Sequence, residues 1–168
     1  MMNSVIMPVH KIHPTAIVHP NAVIGKNVEI GAYAIVGDDV VIGDGCKLYP
    51  HAVIHEHTTV GKNCTFFPGC SIGAVPQDLK FAGEHSSTII GDGCIFRECT
   101  TVNRATGEGN KTIIGNNLLM MAYTHVAHNC IVGNNVIMSN VATLAGHVTV
   151  EDRAVIGGIS SAKSAAAP

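Results

Sequence analysis

The feature that most limits the fold of this sequence is an apolar residue that recurs at every sixth position. The period runs from Ile12 to Ile72 through eleven consecutive positions. It returns in the same register from Ile90 to Val102, and again over residues 114–156, which makes 22 apolar positions in all. An α-helix cannot follow this period because its 3.6 residues per turn do not match six. Short strands separated by regular corners can.

The other positions of each hexad also favour strands and corners. Glycine follows ten of the 22 apolar positions, and the fourth position is often Asn, Asp or Gly. These residues tolerate the left-handed backbone that a sharp corner needs. The fifth position is mostly small, as at Ala16, Ala34 and Ala142. Each hexad therefore offers one large and one small inward residue and one corner.

A repeat of this kind is typical of one class of solenoid. Hexapeptide repeats indicate a parallel β-helix, and this pattern resembles the left-handed β-helix family. Three hexads would form one triangular coil of 18 residues, so 22 hexads predict about seven coils. The expected fold is an all-β, left-handed parallel β-helix, and its hand is implied by the resemblance.

The places where the period lapses predict the domain organisation. The register fails at Asp78 and Glu84, and again at Glu108. We expect two protruding loops there, near residues 74–89 and 107–113, and such excursions from a regular scaffold often carry function. The predicted organisation is an N-terminal lead-in over 1–11, a β-helix over 12–160, and a Ser/Ala tail over 161–168 that is disordered or an engineered scar.

Composition excludes several classes of function. The net charge of −2 comes from intermixed signs without a basic run or any tryptophan, which argues against nucleic-acid binding. The sequence contains no stretch of about 18 apolar residues, which a membrane span would need, so a cytoplasmic protein is expected. Five of the six cysteines occupy the small fifth position and are predicted to be buried free thiols. We therefore expect neither disulfides nor a cysteine metal site.

Four segments depart from the plain repeat and carry a resemblance to a known family. They are "PQDLKFAGE" (76–84), "RECTTVNRATGEG" (97–109), "MMAYTHVAHNC" (120–130) and "NVATLAGHV" (140–148). In this order and spacing they resemble the UDP-N-acetylglucosamine O-acyltransferase family of lipid A biosynthesis, from Ile12 to about Ser160. The resemblance implies transfer of a 3-hydroxyacyl chain from acyl carrier protein to the glucosamine 3-hydroxyl of UDP-N-acetylglucosamine. It also implies a homotrimer with sites between subunits and no cofactor or metal.

The chemistry of that reaction suggests roles for particular residues. Removing the proton of a sugar hydroxyl needs a base, and histidine is the usual one because it titrates near neutral pH. His128, at a corner of its coil, is the predicted base, and by resemblance the Gly146 N–H is the oxyanion donor. A lysine can meet phosphate and an aspartate can accept from sugar hydroxyls. The predicted substrate-binding residues are Gln77, Asp78, Lys80, Asn103, His125 and His147.

Three departures from the family bear on activity. Asn129 follows His128 where the family often has aspartate, and an amide can orient an imidazole but cannot stabilise an imidazolium. Asn103 stands where the family usually has histidine. The family's further C-terminal coils and helical domain, which contribute nucleotide and carrier-protein contacts, have no counterpart in this sequence. The activity and acyl-chain length of a chain like this therefore stay open.

Three alternatives remain. The first is a catalytically inactive trimer or scaffold of the same fold. The second is the related N-acyltransferase of the same pathway, which typically has an extra N-terminal domain. The third is a zinc enzyme of the γ-carbonic anhydrase kind, for which His125, His128 and His147 supply the number of ligands but not the spacing.

Overall fold

The computed structural model describes residues 11–163, and these form 23 short strands in three parallel sheets. The first sheet contains β1 (Lys11–Ile12), β4 (Glu29–Ile30), β7 (Lys47–Leu48), β10 (Thr65–Phe66), β13 (Ile95–Phe96), β16 (Leu119–Met120), β19 (Ile137–Met138) and β22 (Val155–Ile156). The second contains β2 (Ile17–Val18), β5 (Ile35–Val36), β8 (Val53–Ile54), β11 (Ser71–Ala74), β14 (Thr101–Asn103), β17 (His125–Val126), β20 (Thr143–Leu144) and β23 (Ser161–Ala162). The third contains β3 (Val23–Ile24), β6 (Val41–Ile42), β9 (Thr58–Val60), β12 (Ser87–Ile90), β15 (Lys111–Ile114), β18 (Ile131–Val132) and β21 (Thr149–Val150).

Each strand pairs with the strand three places later, so three consecutive strands make one coil. Strands β1 to β21 complete seven coils, and β22 and β23 begin an eighth. The register follows the 18-residue repeat, as where Ile12 pairs with Ile30 and Val126 with Leu144. The predicted left-handed parallel β-helix of about seven coils is confirmed.

The interior is filled by the two inward residues of each hexad. The large apolar position is fully buried through the middle of the stack, and Phe66 and Phe96 stack there with ring centroids 5.0 Å apart. All six cysteines are free and only Cys99 is exposed, which confirms the prediction of buried thiols. Burial raises the pKa of the Cys70 thiol to about 12, so this group stays protonated and unreactive.

The corners adopt the left-handed backbone at the fourth hexad position. Within residues 11–163, fifteen non-glycine residues have positive φ, and they include the expected Asn27 and Asn135. They also include Val141 (φ 65°) and Ile159 (φ 57°), although β-branched residues disfavour this conformation. Both of these N–H groups donate to the preceding coil, Val141 to Ala122 and Ile159 to Asn140, each at 3.1 Å. The stacking of coils therefore sets the corner conformation even where the residue type opposes it.

The two predicted loops exist with shifted boundaries. The first spans residues 75–86 between β11 and β12, and the second spans 104–110 between β14 and β15. Residues 111–113, predicted as loop, belong to β15 because Lys111 to Ile114 pair in register with Ser87 to Ile90.

The ends of the helix also differ from the predicted boundaries. Lys11 belongs to β1, and Ser161–Ala162 continue the coil beyond residue 160 by pairing with β20. Backbone pairing does not require a large inward residue, which explains how Ala162 can occupy a strand. The remaining lead-in, 1–10, and tail, 164–168, lie outside the described residues. No helix long and apolar enough to cross a membrane occurs within 11–163.

Candidate active site

The segments singled out in the sequence lie along one edge of the β-helix, where the second sheet meets the third. The first loop, the second loop, the corner at His128 and the corner at Gly146 occupy this edge in four successive coils. His128 and Gly146 are 18 residues apart, one coil, so coil stacking brings them together. The repeat thus converts four distant segments into one surface.

His128 lies at the corner that follows β17, and its side chain is only 15% exposed. Its Nδ1 atom lies 2.9 Å from the Oδ1 atom of Asn129, the next residue. Asn129 occupies the left-handed corner position with φ 58°, which asparagine tolerates well. This backbone turn lets adjacent side chains meet.

The amide of Asn129 is itself held by the second loop. Its Oδ1 atom accepts hydrogen bonds from the N–H (2.9 Å) and the hydroxyl (3.0 Å) of Thr106. Its Nδ2 group donates to the carbonyl of Thr106 at 3.1 Å, and its backbone N–H donates to Thr112 Oγ1 at 2.9 Å. The residue beside the predicted base is therefore fixed at both main chain and side chain.

Gly146 lies directly beside the imidazole of His128. A Cβ atom built on Gly146 would be 2.5 Å from Nε2 and 2.6 Å from Cε1 of that ring, so no other residue fits without displacing it. Among residues 11–163, the Gly146 N–H makes no hydrogen bond. A predicted base and an available N–H donor thus sit side by side.

His147 completes this corner. Its N–H donates to the carbonyl of His128 at 3.0 Å, and the two rings meet edge to face with centroids 5.1 Å apart. Its backbone is left-handed (φ 61°), and its side chain is exposed.

The first loop brings a carboxylate to the same place. Asp78 Oδ2 lies 3.7 Å from His128 Nε2, while Oδ1 accepts the N–H of Lys80 at 3.0 Å. Gln77 and Lys80 are exposed on the same loop. Asp78 and His147 are thus the predicted substrate-binding residues whose side chains lie against the predicted base.

His125 projects outward from β17, three residues before His128. Its Nδ1 atom is 2.7 Å from Thr101 Oγ1 on the neighbouring strand. Burial, with a smaller contribution from the charge of His128, lowers the pKa of His125 below the ordinary value for histidine. Both effects favour the neutral form of the His125 imidazole.

Asn103, a predicted substrate-binding residue, has a buried side chain. It is 3% exposed, and its Nδ2 group donates to the carbonyl of Val75 at 3.2 Å. Its side chain supports the base of the first loop from inside. Asn103 ends strand β14 and lies beneath the chain as it enters the loop, which explains its burial.

Contacts between the two loops were not evident from the sequence. The carboxylate of Glu84 accepts the N–H groups of Ala82 (2.8 Å) and Gly107 (2.7 Å), one on each loop. Arg104 donates to Glu56 Oε1 at 2.7 Å and lies 5.5 Å from the ring of Phe81. We call these two hydrogen bonds of Glu84 the clamp. The only feature of the sequence that marked it was that Glu84 occupies a hexad position that is usually apolar. Nothing in the pattern pointed to Thr106.

The arrangement suits proton transfer beside a developing negative charge. An imidazole with one nitrogen held by an amide oxygen can use the other as a base. A free N–H next to it can stabilise an oxyanion. Within the described part of the chain, no three His, Cys, Asp or Glu side chains are grouped to hold a metal ion.

Comparisons with known proteins agree with this fold. The family model described as bacterial transferase hexapeptide (six repeats) matches residues 21–56 and 39–74. The acyl-[acyl-carrier-protein]–UDP-N-acetylglucosamine O-acyltransferase of Stenotrophomonas maltophilia is 50% identical over 98 residues, which cover 58% of this chain and 37% of that protein. The enzyme of the same name from Gloeothece citriformis is 51% identical over 61 residues, covering 36% of this chain and 22% of its own.

Solved structures extend the similarity over most of the chain. LpxA from Acinetobacter baumannii superposes with a TM-score of 0.88 at 44% identity, covering 89% of this chain and 58% of that one. LpxA from Bacteroides fragilis, a UDP-N-acetylglucosamine acyltransferase, superposes with a TM-score of 0.83 at 45% identity, covering 86% and 56%. The chain thus spans less than two thirds of the length of these relatives. In sequence and in fold, the chain is similar to the hexapeptide-repeat UDP-N-acetylglucosamine O-acyltransferases over the part of them that it covers.

Proposed function

We propose that the chain carries the acyl-transfer site of a UDP-N-acetylglucosamine O-acyltransferase, the enzyme that catalyses the first step of lipid A biosynthesis. The observation that carries this proposal is the placement of His128 between Asn129 and Gly146. The relatives named for this reaction support the choice of substrates, an acyl carrier protein thioester and UDP-N-acetylglucosamine.

The proposed mechanism uses groups of this chain at each step. His128 Nε2 removes the proton of the glucosamine 3-hydroxyl as its oxygen attacks the thioester carbonyl. The Gly146 N–H donates to the oxyanion of the tetrahedral intermediate. Collapse of the intermediate forms the ester, breaks the carbon–sulfur bond, and returns the proton from His128 to the departing thiolate.

The surrounding residues are proposed to hold the substrate. Asp78 faces the base from the first loop and suits a sugar hydroxyl, and Lys80 beside it suits a phosphate. Gln77, His125 and His147 would contribute further polar contacts from the same edge. For Asn103 we propose an indirect part, because its side chain is buried under the first loop.

We also propose a homotrimer in the cytoplasm. Several outward residues of the sheets are large, apolar and exposed, among them Ile17 (64%), Val23 (60%) and Ile131 (50%), which supports association between copies. Six free cysteines are consistent with a reducing compartment.

The direct test is turnover of radiolabelled UDP-N-acetylglucosamine with 3-hydroxyacyl carrier protein. The chain should form acylated product, and His128→Ala should abolish it. His51→Ala, which alters an exposed histidine at another corner, is the matched control and should leave turnover unchanged. Absence of turnover at any concentration of the chain would favour the scaffold alternative. Stoichiometric zinc in the purified protein would favour the zinc-enzyme alternative.

A further inference from the structure

One side-chain amide in the site is contacted by three groups of a single residue. The N–H and hydroxyl of Thr106 donate to Asn129 Oδ1, and the carbonyl of Thr106 accepts from Asn129 Nδ2. Thr106 belongs to the second loop, 23 residues away in sequence. The loop therefore contacts both ends of the amide next to the proposed base.

These contacts permit only one orientation of the amide. A backbone N–H can only donate and a carbonyl can only accept, so the amide oxygen must face the Thr106 N–H and the NH₂ group its carbonyl. In a flipped amide, the NH₂ group would face another donor, the Thr106 N–H, and the amide oxygen would face another acceptor, the Thr106 carbonyl. The oxygen is consequently also the atom that faces Nδ1 of His128 at 2.9 Å.

The amide orientation decides the tautomer of the imidazole. Because an amide oxygen has no proton to donate, Nδ1 of neutral His128 must carry the ring proton. The lone pair then lies on Nε2, the atom that faces Gly146 and Asp78. This is the tautomer that a base acting through Nε2 requires.

We propose that Thr106 sets the orientation of the Asn129 amide and, through it, holds His128 in the base-competent tautomer. Thr106 and Asn129 are positioning residues in this scheme. The catalytic meaning rests on the proposed function, whereas the tautomer itself is measurable without substrate.

The scheme also explains the fit of an amide at position 129. A carboxylate could accept from Nδ1 and from the Thr106 N–H. It has no donor for the Thr106 carbonyl, which would then face an anionic oxygen at the present 3.1 Å contact. Asn129→Asp should therefore preserve the tautomer and weaken the contact of the second loop.

The test is nuclear magnetic resonance of the full chain labelled with ¹⁵N-histidine, at a pH where His128 is neutral. The signals of His128 are assigned by their loss in His128→Gln. We expect Nδ1–H in the wild-type chain and in Asn129→Asp. In Asn129→Gly, which keeps a residue suited to the left-handed corner, we expect the Nε2–H tautomer to dominate.

Hydrogen exchange on uniformly labelled protein tests the part played by Thr106. Its N–H should be protected in the wild-type chain and exchange rapidly in Asn129→Gly. A wild-type Nε2–H tautomer, or Nδ1–H unchanged in Asn129→Gly, would overturn the proposal. So would equal exchange of the Thr106 N–H in the two proteins.

Kinetics then separate this proposal from the proposed function. Loss of the correct tautomer should lower kcat of Asn129→Gly by up to about 10⁴-fold, as in a serine-protease triad, with KM for the sugar nucleotide little changed. The substitution should have no further effect on a chain that already carries His128→Gln. An inactive wild-type chain with the expected tautomer would refute the proposed function and leave the positioning scheme intact.

Discussion

At the scale of single residues, Gly146 is constrained by the ring beside it. The imidazole of His128 cannot move aside easily because Nδ1 is bound to Asn129. A Cβ atom on residue 146 would lie 2.5 Å from Nε2, well inside van der Waals contact. The absence of a side chain at Gly146 is therefore part of the geometry of the site.

We expect Gly146→Ala to lower kcat about 10²-fold or more, because a displacement of about 1 Å at a reacting group can have that effect. Steady-state kinetics measure it. Gly157→Ala is the matched control, since a Cβ there meets nothing within 4 Å, and it should leave kcat unchanged. Equal activity of the two variants would contradict the assigned role of Gly146.

His125 should make the stability of the fold depend on pH. Its pKa is lowered in the folded chain by burial and by His128, so the unfolded chain binds a proton more readily as the pH falls. The free energy of unfolding should therefore decrease as the pH drops below about 6.5, the ordinary histidine value. Urea denaturation of wild type and His125→Gln between pH 7.5 and 5 tests this, and the variant should show a weaker decrease. The same pH dependence in the wild type and in His125→Gln would contradict this prediction. The control is His13→Gln, which alters an exposed histidine.

At the scale of elements, the two loops are joined by several hydrogen bonds, among them one from the Gly107 N–H to Glu84 and one from the Gly109 N–H to the His85 carbonyl. The N–H groups of Gly107 and Ala82 lower the pKa of the Glu84 carboxyl. Since Gly107 follows Thr106, the clamp extends from the first loop to the Asn129 amide. Asp78, on the first loop, lies against the other side of His128. Contacts between the two loops and the corner at His128 thus surround the site.

We expect Glu84→Ala to loosen both loops while the β-helix persists. Hydrogen exchange should accelerate at 75–86 and 104–110 and stay unchanged in the strands. The wild-type loops should show the same acceleration on acidification below the ordinary glutamate pKa of about 4.5, because a carboxylate with a lowered pKa contributes only while it is ionised. Glu151→Ala, at an exposed corner, is the control, and loops equally protected in both variants would argue against the clamp.

At the scale of the whole molecule, stability comes from neighbouring coils that share one apolar interior. Phe66 and Phe96 stack across adjacent coils in the middle of this interior and are fully buried. Phe67, in contrast, points outward, where it stacks on Tyr49 and lies under Arg97. Phe66 and Phe67 are adjacent in sequence, but they should therefore contribute differently to the stability of the fold.

We expect Phe96→Ala to lower the free energy of unfolding by about 3–5 kcal/mol, the usual effect of emptying a buried aromatic site. Phe67→Ala removes an aromatic ring of the same size from the surface and should have a clearly smaller effect. Chemical denaturation of both variants measures the difference, and equal losses would show that the interior is not the main source of stability.

The sequence predicted the coil architecture, the buried cysteines and the existence of both loops, because each is a consequence of one residue type at one hexad position. It also singled out His128, Gly146 and Asp78, which the structure places together. The predicted loop boundaries were shifted. The predicted C-terminal end of the β-helix was too early, because backbone pairing continues at Ser161–Ala162 without a large inward residue. The burial of the Asn103 side chain under the first loop was not evident from the sequence.

By itself, the six-residue period determined which residues face inward, where the chain turns, and that positions 18 residues apart are neighbours. It did so because a solenoid translates sequence distance directly into spatial distance. Only the tertiary structure decided what the irregular segments do. Thr106 meets Asn129, and Glu84 meets Gly107, through loops whose paths no periodicity specifies. Those contacts, made across coils by residues with no repeat to mark them, set the orientation of the amide beside His128.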